Sequence, residues 1–175
     1  MTAVNRKQGK TVFSLDIFGP VDPAQAEWFQ KLQSTFPDYV TYRGKVHYEN
    51  TVDTLKDYFA LLFPTQYYTE GVPGTIIDAY AAGLPVIASK WESFSDVIDE
   101  GVTGYGYAFS DEQRLTELLL KIADNPNMIT RIKENCIKQA EYYLPEHSVN
   151  TLVETITTAS QYTNCAGVCR TAQYG

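Results

Sequence analysis

With 175 residues, 44% hydrophobic and 20% charged side chains, the chain has the length and balance of one ordinary globular domain. Its formal net charge of −7 argues against nucleic acid or an anionic membrane as a non-specific partner, because both reward clustered Lys and Arg. No apolar run of about 18 residues occurs, so no membrane-spanning helix is expected.

Met1 to Lys10 is polar and lacks the apolar core of a signal peptide. Thr11 to Phe18 reads as a strand closed by Gly19-Pro20. Asp22 followed by Pro23 is a helix start, a capping side chain and then a residue pre-set for the first turn, with the helix expected to reach Phe36. Tyr39 to Tyr42 makes a second strand closed by Gly44, and Asn50 caps a helix through Lys56. The apolar run Phe59 to Phe63 suits a parallel strand covered on both faces. A helix from Gly74 to Ala82 follows, then a buried strand at Pro85 to Ala88, a short helix from Ser93 to Asp99 and an edge strand from Tyr105 to Phe109.

The remainder is helical. Ser110 with Gln113 forms a capping box ahead of Leu115, Leu118, Leu119 and Ile122. Asn125-Pro126 restarts the chain, and Ile129, Ile132, Cys136 and Ala140 form the next stripe. Val149, Leu152, Val153 and Ile156 form the last, and each stripe is expected to face a core. Residues 161–175 carry no periodicity and are expected to be a flexible tail after a domain over 11–160. Strands alternating with helices require right-handed parallel crossovers, hence an α/β fold: an open parallel sheet with helices on both faces. Ligands of such sheets bind at loops leaving the carboxyl ends of strands, here those beginning at Gly19, Gly44, Pro64 and Ser89.

One of those loops carries chemistry. Thr69-Glu70-Gly71-Val72-Pro73-Gly74 leaves a buried strand and opens a helix whose free N–H groups, around Gly74 to Ile76, make an anion site. Glu70 sits at the mouth of the loop, and the Cβ of Asp78, one turn into the helix, tilts back toward it. Two carboxylates flanking a phosphate cradle suit a nucleotide sugar. The same features also have a purely structural reading, since an acidic residue near a helix N-terminus is stabilising without a ligand.

Glu70 through Asp78, followed by Ala79-Tyr80-Ala81-Ala82-Gly83-Leu84-Pro85-Val86, resembles the Glu-x7-Glu signature of the retaining glycosyltransferases of family 4 (group 1). Asp16-Ile17-Phe18-Gly19-Pro20, Tyr42-Arg43-Gly44-Lys45-Val46, Phe63-Pro64-Thr65 and Asp99-Glu100-Gly101-Val102-Thr103-Gly104 resemble further segments of that family. The likeness runs from about Val12 to Ile156 and implies a Rossmann-like donor-binding domain, the C-terminal half of a GT-B fold. It implies that Glu70 contacts the transferred sugar and steadies charge near the anomeric centre. The backbone of Gly71, Val72, Pro73 and Gly74 would line the sugar. The amides of Thr75 and Ile76 would meet the distal phosphate. Asp78 would bind the ribose hydroxyls, Lys45 and Val46 would edge the base, and Gly19 would approach the phosphates.

The resemblance further implies a UDP- or GDP-linked donor, no cofactor and no metal. It implies an acceptor-binding domain supplied in cis or in trans, and a role in polysaccharide biosynthesis in the cytoplasm, with peripheral membrane association of the full enzyme left open. The sequence departs from the family twice: the second acid is Asp78, one methylene shorter than Glu, and nothing before Val12 matches the first strand–helix unit of the family's domain. This chain alone is therefore expected to be inactive. A non-catalytic nucleotide-sugar-binding or docking module, paired with a separate acceptor-domain subunit, is the alternative.

Other signals carry less. Gly9-Lys10-Thr11 lacks the earlier glycine of a phosphate-binding loop and precedes a strand. There is no Gly-x-Ser-x-Gly elbow and no Asp-x-Asp pair. The odd count of three cysteines reads as a reduced, cytoplasmic set. Cys136 is expected inside a core, and Cys165 and Cys169 lack partner ligands. His147 reads as a helix-start surface residue, His47 as a neighbour of the base-binding loop, Tyr67 and Tyr68 as shapers of the sugar pocket, and Trp91 as core or pocket wall.

Overall fold

The computed structural model describes residues 1–166, with the side chains of Ser148 and of residues 160–166 undescribed. Five parallel strands are arranged as two separate sheets. β1 (Leu15–Phe18) pairs with β2 (Val40–Gly44), and β3 (Leu61–Phe63) pairs with β4 (Val86–Ser89), which pairs in turn with β5 (Gly104–Tyr107). The α/β class with helices on both faces is as expected. The single open sheet is not: no strand joins β1 to β3 among the described residues.

Two apolar layers sandwich β4. On one face Val86 and Ala88 join Leu55, Ile76, Ala79, Tyr80, Leu84 and Cys136 in one core. On the other, Ile87 joins Val4, Leu119, Ile122 and Ile129. This strict alternation within a fully buried strand is what a parallel sheet covered on both sides requires. The helices supplying the first layer are α3 (Thr51–Leu55), α4 (Gly74–Ala81), α5 (Phe94–Val97) and α8 (Lys133–Tyr142). The second layer comes from α1 (Thr2–Gln8), α6 (Glu112–Asp124) and α7 (Asn127–Thr130). The helix α2 (Ala26–Gln33) lies in the β1–β2 half.

Several boundaries differ from those expected, each for a local reason. Residues 2–8, read as plain polar sequence, form α1, which buries Val4 and Asn5. Asn5 donates from Nδ2 to the Phe13 carbonyl and accepts the Val12 and Phe13 amides on Oδ1. Those amides are thus taken from any sheet, and β1 begins only at Leu15. Asp22 does cap as expected, accepting from the Ala24 amide at 2.8 Å, although the first turn is 3-10. The helix after it stops at Gln33 because the hydroxyls of Ser34 and Thr35 donate to the carbonyls of Lys31 and Leu32, ahead of Pro37.

Ser110 does not cap α6. It takes a positive φ of 57° in a turn closed by the Asp111 amide on the Ala108 carbonyl, and Asp111 accepts the Arg114 amide at 2.9 Å instead. The final helix, α9 (Pro145–Ala166), keeps Val149, Leu152, Val153 and Ile156 exposed, so this stripe is not the packing face expected of it. The expected tail thus begins inside α9, and residues 167–175, with Cys169, lie outside the described residues. Among the described residues no helix is long and apolar enough to cross a membrane.

Candidate functional site

The segment after β3 is shaped at both ends of α4. At the C-terminus the Leu84 amide donates to the Ala79 carbonyl and the Gly83 amide to the Tyr80 carbonyl, the paired bonds of a Schellman motif. Gly83 accepts the left-handed conformation this demands, at φ 68°, which explains the glycine between Ala82 and Leu84. At the N-terminus the residue before the helix is Pro73, and no side chain caps the first turn. The Ile76 amide donates to the Pro73 carbonyl at 3.0 Å and its side chain is fully buried, so of the two amides expected to meet a phosphate only that of Thr75 stays open to a ligand. Gly74 offers a further first-turn N–H beside it.

At the C-terminal ends of β1 and β3 lies a cavity of about 670 Å³, within the size range of small-ligand sites. Its walls bring together Gly19, Lys45, Val46, Thr75 and Asp78, five of the residues singled out in the sequence and separated there by up to 59 positions. The other expected contacts stand apart from this wall. Glu70 is half-buried, and its Oε2 accepts a long 3.4 Å hydrogen bond from the Thr65 hydroxyl. The Thr65 carbonyl in turn accepts from the Ser89 hydroxyl at 2.7 Å. Gly71, Val72 and Pro73 lie on the loop between Glu70 and α4, outside the cavity lining.

The structure adds to the expected contacts a charged group on β1. Asp16, on β1 and in the cavity wall, accepts a hydrogen bond from the Tyr58 hydroxyl at 2.6 Å and pairs with Arg43 at 3.1 Å. The Tyr58 hydrogen bond, more than the Arg43 charge, holds the Asp16 carboxyl below its ordinary range. Burial first, then the Asp16 carboxylate, pushes the Tyr58 phenol up to about 12. Asp16 breaks the apolar pattern of Leu15, Ile17 and Phe18, and that mismatch was the signal available in the sequence.

The remaining motif residues serve the fold. In the Asp99 to Gly104 segment the Thr103 hydroxyl accepts the Asp99 amide and lies 3.1 Å from the Tyr80 hydroxyl, which donates to the Val97 carbonyl. Gly104 is required by a close approach: a Cβ there would stand 2.2 Å from the Val86 carbonyl oxygen. Trp91 is core, edge-on to Phe63 and Phe94. Tyr68 packs on Phe109 while Tyr67 is exposed, and His47 stacks beside Tyr48 with Nδ1 3.5 Å from Glu49. Cys136 is fully buried, and burial pushes its thiol up to about 12. No group of three or more His, Cys, Asp or Glu able to hold a metal occurs among the described residues.

The family model described as glycosyl transferases group 1 matches residues 1–125. The chain belongs to the group 1 glycosyltransferases. It is 27% identical over 140 residues to the D-inositol 3-phosphate glycosyltransferase of Streptomyces coelicolor, covering 79% of this chain and 30% of that protein. Over 54 residues it is 33% identical to the amylovoran biosynthesis glycosyltransferase AmsK of Erwinia amylovora, covering 31% of this chain and 13% of that protein. The chain thus spans less than a third of the length of either curated relative. Among solved structures, Anabaena Alr3699/HepE in complex with UDP superposes with a TM-score of 0.70 at 14% identity, covering 84% of this chain and 41% of that one. That likeness fixes the fold as the α/β arrangement of a GT-B glycosyltransferase domain. The family match begins at Met1, so it takes in α1, which the sequence reading had left outside the resemblance.

Proposed function

We propose that this chain is the donor-binding half of a retaining, metal-independent hexosyltransferase of family 4. Its donor is a UDP- or GDP-linked hexose, delivered to a glycan or lipid-linked acceptor in cytoplasmic polysaccharide biosynthesis. One observation carries the reading: Gly19, Lys45, Val46, Thr75 and Asp78, from three separate stretches of chain, line one cavity at the carboxyl ends of parallel strands. In it the Thr75 amide, at the positive end of α4, faces the distal phosphate, with the Gly74 amide beside it. Asp78 accepts from the ribose hydroxyls, and the backbone of Lys45 and Val46 edges the base.

As the bond from sugar to diphosphate breaks, negative charge grows on the leaving phosphate, and amides already aimed at it stabilise that charge without reorganising. Glu70 then serves the positive charge that develops at the anomeric carbon. The acceptor and the second wall of the cleft come from a domain beyond this chain's matched stretch, in cis or in trans, so the chain alone binds donor without transferring sugar. That the relatives carry most of their length outside the matched stretch supports this division.

The test is calorimetric titration of UDP, GDP and ADP into the wild type and Asp78→Ala, with EDTA present throughout. One nucleotide is expected to bind at micromolar to millimolar Kd, and Asp78→Ala should weaken it about tenfold, the loss of one good hydrogen-bonded contact. Absence of binding by all three, or binding indifferent to Asp78→Ala, would remove the proposed site.

A second reading, a binding module without transfer activity, is favoured by the Glu70 carboxylate lying on Thr65 instead of in the cavity wall. The readings separate on Glu70→Gln in the reconstituted two-domain enzyme. A transferase loses turnover at unchanged nucleotide affinity, whereas a binding module has no turnover to lose.

A further inference from the structure

The segment from Pro64 to Pro73, between β3 and α4, is neither strand nor helix, so its shape depends on individual hydrogen bonds. Thr65 takes part in several of them. Its carbonyl accepts from the Ser89 hydroxyl at 2.7 Å. Its own hydroxyl accepts the Tyr67 amide at 3.1 Å and donates to Glu70 Oε2 at 3.4 Å. The Glu70 amide bonds the Tyr67 carbonyl at 3.3 Å, and the Glu92 amide bonds the Tyr68 carbonyl at 2.9 Å.

The far end of this chain of contacts is seated in the β3–β4–β5 sheet. Ser89 is the last residue of β4, pairs with Tyr107 of β5 and exposes only 1% of its surface. A hydroxyl so enclosed has little room to move, so Thr65 is fixed relative to the core and not merely to its own loop. Thr65 is also β-branched and stiff at χ1. The position of the central strand is thus passed through Ser89 and Thr65 to the Glu70 carboxylate.

That carboxylate is held unevenly. An ionised carboxylate accepts at both oxygens, whereas a hydroxyl has one proton to give. Because the Thr65 oxygen accepts the Tyr67 amide, its proton is left for Glu70. Oε2 is tethered, and Oε1 has no hydrogen-bond partner among the described residues. A 3.4 Å bond is long for a hydroxyl on a carboxylate, so it orients Glu70 without locking it.

We propose that Thr65 is a positioning residue for Glu70: anchored by Ser89, it tethers one carboxylate oxygen and leaves the other to accept from hydroxyls of the donor sugar. The proposal rests on the donor-binding reading above and deepens it, since it makes recognition of the sugar depend on a residue that itself touches neither sugar nor nucleotide. Thr65 is the one side chain bonded to the Glu70 carboxylate among the described residues.

Two measurements on the full 175-residue chain test it, the first without ligand. Side-chain scalar couplings report the Glu70 χ1 populations in the wild type, Thr65→Val and Thr65→Ser. Valine keeps the branched shape and removes the hydroxyl, whereas serine keeps the hydroxyl and removes the methyl group. The wild type and Thr65→Ser should show one dominant rotamer, and Thr65→Val an average of several. Averaging in the wild type, or one rotamer retained in Thr65→Val, overturns the proposal without reference to any nucleotide.

The second measurement is the affinity gained from the sugar, taken as the Kd of UDP over that of UDP-glucose and the Kd of GDP over that of GDP-mannose. Thr65→Val should lower this ratio about fivefold, the loss of one oriented hydrogen bond, with Thr65→Ser close to wild type. The Kd of the bare nucleotide should not change. In the Glu70→Ala background Thr65→Val should have no further effect, which a general distortion of the loop would not allow. An equal drop in that background, no rescue by serine, or a ratio indifferent to Glu70→Ala while the nucleotide binds overturns the proposal. Failure of the donor-binding reading looks different: neither UDP nor GDP binds although the rotamer contrast persists, and the proposal then falls with the reading it rests on.

Discussion

In the half of the molecule built on β3, β4 and β5, the central strand is buried at every position. In the half built on β1 and β2 no strand residue is buried, and α2 buries nothing. Both halves alternate short apolar strand runs with helices. What differs is enclosure: β4 has a strand on each side and helix layers above and below, whereas β1 has one neighbour. Burial per residue in a sheet is thus set by neighbours more than by the residue's own apolarity. The candidate site sits on the seam between the halves, where an enclosed scaffold meets an open one.

Substitutions should reproduce that asymmetry, and the largest expected difference is between two isoleucines. Ile76→Ala removes a side chain with no exposed surface from the main core and should cost about 3 to 4 kcal/mol. Ile17→Ala, on the half-buried β1, should cost about 1 kcal/mol because water already reaches the site. Urea unfolding of both variants reads this directly. Equal costs would mean that β1 is enclosed in solution.

The enclosed half should also reject added volume. Gly104→Ala places a methyl group 2.2 Å from the Val86 carbonyl oxygen in a paired strand, and the strands must part. A loss of about 2 to 3 kcal/mol is expected, with little relaxation because Val86 is fully buried. An unchanged thermal midpoint would show that the β4–β5 contact gives way cheaply.

In the open half the expected effect is smaller and carries a pH signature. Asp16 is held in its charged form mainly by the Tyr58 hydroxyl and also by Arg43, so its folded pKa lies below its unfolded value. Its contribution is therefore fully present above the ordinary carboxylate range and is lost as pH falls through the lowered folded value. Asp16→Asn should cost about 1 kcal/mol at neutral pH, and the gap from wild type should close on acidification. A gap that stays constant across the acid range would mean that the Tyr58 and Arg43 contacts do not hold the carboxylate.

Much of this architecture was legible in the residues. Gly83 and Gly104 each mark a place where the backbone itself dictates the residue, one by its conformation and one by the neighbouring strand's approach. The apolar runs at Leu61 to Phe63 and Val86 to Ala88 were both continuous, as two-sided coverage requires, although only the second is buried throughout. What sequence could not show was anything decided at a distance. Asn5 looks like surface sequence until Phe13 is folded against it, and Asp16 looks misplaced until Tyr58 and Arg43 arrive from residues far along the chain. The split of the sheet was invisible for the same reason: a strand run states that it needs neighbours without stating whether they are present. At the candidate site the positions of Thr75 and Asp78 followed from helix geometry, but the Ile76 amide was committed to Pro73 by a turn that spacing does not reveal.

The smallest expected effect concerns α9, where helical periodicity and actual burial part company. Val149, Leu152, Val153 and Ile156 recur at helical spacing, yet each exposes more than half of its surface, Leu152 59% of it. A side chain that leaves most of its area in water gains little from folding, since the hydrophobic term scales with the area removed. Leu152→Ser should therefore change stability by less than about 0.5 kcal/mol, within the range of ordinary surface substitutions, and urea unfolding of the full chain measures it. The contrast with Cys136 on α8 sharpens the point. That residue belongs to an equally periodic stripe and is wholly buried against Thr103 and Ile132, because α8 lies over α4. Periodicity announces an apolar face; whether the face is already covered depends on what the fold places opposite it. A loss of 2 kcal/mol or more from Leu152→Ser would mean that this stripe is covered in the folded chain and that α9 belongs to the enclosed half after all.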